Sequence, residues 1–90
     1  MDKVEIRTEE TPNPNAQRFV LNRAVQESAR GRFFTEAGGA EEPLARALLD
    51  LNGVIGVMLL PNSVTVNKEP SALWDEVGPH AEEVIRTHFA

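Results

Sequence analysis

The chain contains no cysteine, and that single absence excludes disulfides, thiolate nucleophiles and thiolate metal sites together. It also lacks any apolar run approaching the ~18 residues of a membrane span, so a soluble protein without a membrane partner is expected. Met1-Asp2-Lys3-Val4-Glu5-Ile6 alternates charge where a secretory signal carries an apolar stretch, and nothing there marks the chain for export. A cytoplasmic location is the resulting expectation. There is no Walker sequence and no glycine fingerprint for dinucleotides; Gly38-Gly39 alone cradles no phosphate, and Ser63 and Ser71 sit in no nucleophile elbow.

Positive charge is scarce as well. The formal net charge of −5 argues against a nucleic-acid partner, since phosphate contacts require a basic face that releases counterions. The imbalance is uneven: residues 1–35 carry a net +1 and residues 36–90 a net −6. Arg18, Arg23, Arg30 and Arg32 have only Glu27 as an acidic neighbour between positions 11 and 35. Two readings stand side by side, a docking patch for an acidic partner and a solvated arginine-rich edge; charge runs usually just solvate.

With 90 residues the chain makes one small domain, 1–90, with a single thin core and little room for a deep catalytic cleft. Val4 and Ile6 alternate with charged neighbours and predict a half-buried strand over about 3–10; Phe19 and Leu21 predict a second over about 16–22. Arg32-Phe33-Phe34-Thr35 can add a short third strand, and 36–42 is the only linker-like stretch. Glu41-Glu42-Pro43 reads as a helix start. Leu44, Leu48 and Leu51 form its apolar stripe and Gly53 its left-handed stop, predicting a helix over about 43–51.

Val54 to Leu60 is a continuous apolar run that predicts a central strand. Pro61-Asn62 turns the chain into Ser63-Val64-Thr65-Val66-Asn67, with the valines inward and the polar residues toward water. Gly56 within the run marks a bulge or a close backbone approach, for instance by a helix. Ser71 is the expected N-cap of a last helix, with Trp74, Val77 and Ala81 on its core stripe and a kink or a split at Gly78-Pro79. The resulting order, β-β-(β)-α-β-β-α, implies an α+β two-layer sandwich: a mostly antiparallel sheet of four or five strands with two helices on one face.

The stretch Thr11-Pro12-Asn13-Pro14-Asn15-Ala16 carries the most information. Its prolines fix φ, its preceding residues are pushed toward extended backbone, and its asparagines offer local hydrogen bonds. Such stiffness suits a surface held in form for a partner, and equally a turn that lowers the entropy of the unfolded chain. Elsewhere, Glu76, His80 and Glu83 share helical spacing that can hold a divalent metal, although such spacing is usually a wet helix face. His88 falls near a helix C-terminus, where a capping role suffices. Trp74 can anchor a partner, but its register with Val77 and Ala81 favours the core.

Thr11-Pro12-Asn13-Pro14-Asn15-Ala16 leading into Arg18-Phe19-Val20-Leu21-Asn22-Arg23, then Pro43-Leu44-Ala45, Asn52-Gly53-Val54, Leu60-Pro61-Asn62, and Trp74 with Pro79 resembles the N-terminal domain of Nfu/NifU-like proteins. The resemblance covers nearly the whole chain. It implies a role in maturing iron–sulfur proteins; in that family a separate C-terminal domain holds the cluster on a Cys-x-x-Cys pair. Iron binding is thus a family-level property with no thiolate here to support it. The expected function is a non-catalytic adaptor that binds a protein partner, a cluster carrier or an apo-target, and meets the cluster only through that partner. Thr11, Pro12, Asn13, Pro14, Asn15, Arg18 and Arg23 are the candidate contacts, and a monomer is the default expectation. Two alternatives remain: a small metal-dependent or acid–base enzyme using Glu76, His80 and Glu83, and a structural interaction domain unrelated to iron–sulfur chemistry.

Overall fold

The computed structural model describes residues 3–27, 29–36 and 42–89. Five strands, β1 (Ile6–Glu10), β2 (Ala16–Leu21), β3 (Arg32–Phe34), β4 (Val54–Leu59) and β5 (Ser63–Lys68), form one sheet in the order β1-β2-β5-β4-β3, antiparallel throughout. Two helices, α1 (Pro43–Leu49) and α2 (Trp74–His88), complete the chain. Most of the linker-like stretch, Gly38-Gly39 and Glu41 lie outside the described residues.

Strand alternation decides which face is covered. Phe19, Leu21, Val57, Leu59, Val64 and Val66 share one face and pack into a single buried core with Leu44 and Leu48 of α1 and Val77, Ala81 and Ile85 of α2. Both helices therefore sit on that face. The opposite face carries the row Glu9, Arg18, Thr65, Met58, Phe33, read straight across the five-strand register, and among the described residues no helix covers it.

Several boundaries differ from the sequence reading for identifiable reasons. β1 begins at Ile6, not at residue 3, because beyond the Asn22 N–H bond to the Glu5 carbonyl at 3.2 Å the Asn22 side chain takes over from the backbone: its Oδ1 accepts from Glu5 N–H at 3.2 Å and its Nδ2 donates to the Lys3 carbonyl at 2.8 Å. α1 stops at Leu49 rather than 51, as Asn52-Gly53 turns the chain with Gly53 at φ +90°. Ser71 does not cap α2; Leu73, in extended backbone, precedes its first residue.

α2 runs as one helix through Gly78-Pro79, so the expected split is absent. Pro79 lies early in the helix, where the missing N–H forfeits a single bond, and Gly78 has no Cβ to clash with the proline ring. Ser63, expected toward water, is buried. In the apolar run, Gly56 does mark a bulge, between Val54 and Gly56. The close approach there comes from the Phe33 ring rather than a helix: a Cβ on Gly56 would stand 2.9 Å from Phe33 Cζ.

Candidate functional site

The Thr11–Ala16 segment joins β1 to β2 and is organised from within. Asn13 carbonyl accepts from Ala16 N–H at 3.0 Å, and Asn13 Oδ1 accepts from Asn15 N–H at 2.9 Å, an Asx turn inside a β-turn. The Thr11 hydroxyl accepts from Asn13 N–H and lies 2.9 and 3.0 Å from the Asn13 and Ala16 carbonyls. Thr11 is thus a residue that shapes the loop, its polar group spent inward.

Two side chains from elsewhere fasten this loop to the domain. Trp74, at the start of α2, donates its Nε1–H to the Pro14 carbonyl at 2.9 Å. Lys68, at the end of β5, donates from Nζ to Asn15 Oδ1 at 2.9 Å and to the Glu69 carbonyl at 3.2 Å, while its backbone N–H reaches the Asn15 carbonyl at 2.8 Å. The Lys68 ammonium also stands 5.7 Å from the centre of the Trp74 ring, a cation–π distance. Trp74 is half-buried at the margin of the core, so it belongs to the core in part and to the loop in part.

Beside the loop, the open face of the sheet forms a shallow groove of about 590 Å³. Phe33, Ile55, Gly56 and Met58 give it an apolar floor; Asn13 and Asn15 stand at the loop end with Lys68 and Pro70, and Thr35, Thr65 and Asn67 complete the wall. Phe33 is 53% exposed and Ile55 47% exposed, large apolar side chains left to solvent on a small domain. The bulge causes the second exposure, since Ile55 is the extra residue between Val54, which faces the core, and Gly56.

The sequence-based candidates do not all converge here. Asn13 and Asn15 line the groove, and Pro12 and Pro14 are exposed beside them. Arg18 lies on the same open face, next to Thr65, with Glu9 at a loose 3.9 Å. Arg23 is beyond the far end of β2, where its guanidinium donates to the Phe89 carbonyl at 3.2 Å. Arg32 points to the helix side, in an ion pair with Glu42 at 3.1 Å and a hydrogen bond to Gln26 at 2.9 Å. Arg18, Arg23 and Arg32 therefore form no single patch.

Glu76 and Glu83 flank His80 on different sides: Glu76 and His80 line one depression with Asp50 and Asp75, Glu83 and His80 another with Ala47 and Val84. Among the described residues no group of three or more His, Cys, Asp or Glu is arranged to hold a metal ion. His88 lies in the last turn of α2, where a positive charge complements the helix dipole, with its ring edge-on to Phe89 at 4.8 Å. Among the described residues no helix is long and apolar enough to cross a membrane.

Sequence reasoning missed Phe33, Ile55, Asn67 and Lys68. Only Lys68 left a trace, as it shares the inward parity of Val64 and Val66 and so had to be buried with a partner for its ammonium.

A five-stranded antiparallel sheet backed by two helices on one face, with the Thr11–Ala16 loop fastened at its edge, defines an α+β two-layer domain. The chain matches the family described as scaffold protein Nfu/NifU N terminal over residues 6–90, and it belongs to that family. It is 37% identical over 86 residues to the human NFU1 iron-sulfur cluster scaffold homolog, mitochondrial, covering 94% of this chain and 34% of that protein. The chain thus spans about a third of the length of the curated relatives it matches. Among solved structures, Staphylococcus aureus protein SAV1430 superposes with a TM-score of 0.81 at 26% identity, covering 93% of this chain and 99% of that one. A NifU-like protein from Saccharomyces cerevisiae shares the fold at a TM-score of 0.84 and 20% identity, covering 97% and 79%.

A resident iron–sulfur cluster does not fit the donor set. Cluster irons take thiolate ligands, with imidazole as the occasional replacement, and these ninety residues supply no cysteine and two histidines on one exposed helix face.

Proposed function

We propose that this domain serves iron–sulfur cluster assembly as a non-catalytic adaptor that binds a protein, either a cluster carrier or an apo-target. The observation that carries the reading is the Pro/Asn loop, held from inside by Thr11 and from outside by Trp74 and Lys68, beside a groove with an apolar floor. Preorganisation of this kind lowers the ordering cost of association. Asn13, Asn15, Pro12 and Pro14 are the proposed contacts, with Arg18 at the margin; Thr11 acts by shaping the loop, and Arg23 belongs to the opposite end of the domain. Any cluster is held by the partner's thiolates, and the domain itself is a monomer that works in the cytoplasm; the human relative's name places that protein in the mitochondrion.

Anaerobic incubation of the purified domain with iron and sulfide, alone and with a cysteine-bearing cluster carrier, tests the assignment. The expected result is a cluster chromophore only when the carrier is present and a complex between the two by gel filtration. A chromophore on the isolated domain would overturn the non-scaffold part of the proposal, and no complex with carrier or apo-target would overturn the adaptor part.

A further inference from the structure

Two depressions adjoin on the helix side of the domain, sharing Leu51 and His80. The first, of about 470 Å³, lies between the end of α1 and the second half of α2, and Ala47, Leu51 and Val84 give it an apolar floor. Leu51 and Val84 are only half-buried, at the margin of the core. The second depression continues past Asn52 and Pro79 toward the start of α2. Together they make a furrow along the helix pair, on the side of the sheet away from the open face.

The charge along this furrow has one sign. Asp50, Asp75, Glu76 and Glu83 line it, and no Lys or Arg does. Among the described residues none of these four carboxylates is engaged in an ion pair or a side-chain hydrogen bond, whereas Glu9, Glu42 and Glu82 each have an arginine. Helix stability accounts for two of the four: Asp75 and Glu76 lie in the first turn of α2, where the helix dipole favours negative charge. The dipole opposes Asp50, which stands at the C-terminal end of α1. Glu83, midway along α2, has Arg86 three residues on, but that guanidinium is committed to Glu82 at 2.8 Å and to the Val4 carbonyl at 2.7 Å. Arg46, one turn before Asp50, lines neither depression. Like charges gathered on one surface repel one another, and a cationic ligand relieves that repulsion.

From these observations we infer that the furrow receives a basic amphipathic helix of a partner protein. Its apolar ridge lies over Ala47, Leu51 and Val84, and its Lys or Arg side chains reach Asp50 from the α1 side and Glu83 from the α2 side, with Asp75 and Glu76 at one end. The walls select a helix, because a ridge of side chains packs into the groove that two helices leave between them. From Asp75 to His88 α2 rises about 20 Å at ~1.5 Å per residue, a length that about three to four turns of an incoming helix cover. The sign of the charge turns away nucleic acid. This inference goes beyond the adaptor reading, which concerns the Pro/Asn loop and the open face, and does not rest on it.

The purified, isotope-labelled full chain is titrated with a capped peptide of about four helical turns, built of Leu, Ala and Lys with the leucines on one helical face and the lysines flanking them. Two control peptides carry Glu in place of Lys, or the same composition in an order that leaves no apolar face. Amide chemical shifts report both affinity and location. Saturable changes are expected at Leu51, His80, Glu83, Val84 and Thr87, with affinity at least tenfold above both controls, which corresponds to about 1.4 kcal/mol, and weakening with added salt. The double variant Asp50→Asn, Glu83→Gln breaks no hydrogen bond among the described residues and keeps both side-chain shapes; it should retain the folded spectrum and lose at least tenfold in affinity for the lysine peptide.

No binding of the lysine peptide up to ~1 mM, equal binding of either control, shift changes on the open sheet face instead of the furrow, or full affinity in the double variant would overturn the inference. The adaptor reading stands or falls on a different surface, which these two substitutions do not touch.

Discussion

Replacing Trp74 by Phe isolates the outer fastening of the Pro/Asn loop. The variant keeps an aromatic ring at the start of α2 and loses the Nε1–H that donates to Pro14 at 2.9 Å. A neutral hydrogen bond contributes about 0.5–1.5 kcal/mol net, and because Pro14 is exposed, water can take the vacated carbonyl and keep the loss near the lower end. The cation–π contact with Lys68 at 5.7 Å weakens as indole becomes phenyl, adding about 0.5 kcal/mol. The total of about 1 kcal/mol corresponds to a fall of roughly 4–8 °C in Tm for a domain of this size.

Far-UV circular dichroism measures that fall, and amide exchange at Asn15 and Ala16 measures the loop. Both amides bond to Asn13, within the loop, so faster exchange there, beyond the global loss of stability, means that the loop's form depends on Trp74. An unchanged Tm with unchanged exchange at both amides would refute the reasoning and leave Thr11 and Asn13 as sufficient. Combined with Asn15→Ala, the variant should be non-additive by at least ~0.5 kcal/mol, because Asn15, Lys68 and Trp74 form one connected set.

Gly53→Ala forces alanine to φ +90° with its Cβ 2.9 Å from Ala72 Cβ; the cost is about 1–3 kcal/mol, read as a lower denaturation midpoint. Asn22→Ala removes the bonds to Glu5 and Lys3, at about 1 kcal/mol for exposed hydrogen bonds, and should raise amide exchange at Glu5 while the β1–β2 ladder holds.

How much of this was legible depended on how local the deciding physics is. The hairpin of β4 and β5 could be read from alternation and a Pro-Asn turn, and the stop at Gly53 from the need for a positive φ. β3 was visible as Phe33-Phe34, but its edge position required the pairing with β4. Of the kink or split expected at Gly78-Pro79, the split does not occur, because Gly78 carries no Cβ to clash with the proline ring and the helix continues through both residues. The stiffness of the loop was evident in the prolines; its fastening was not, because Trp74 lies sixty residues from Pro14. The exposure of Ile55 follows from a bulge inside an apolar run that otherwise reads as buried on both faces, and the dispersal of the arginines follows from strand register. Family membership could be recognised in the sequence because the Thr-Pro-Asn-Pro-Asn element is contiguous; the groove was not, because four separate segments build it.

The central claim, that the loop and groove recruit a protein of cluster assembly, is tested most directly by co-purification from the native cell with the full chain, comparing the wild type with the Asn13→Ala, Asn15→Ala double variant. The account predicts that an iron–sulfur carrier or apo-target accompanies the wild type and is lost from a variant that remains folded by circular dichroism. Recovery of the same cluster protein in equal amount with both, or of none with the wild type, would contradict it.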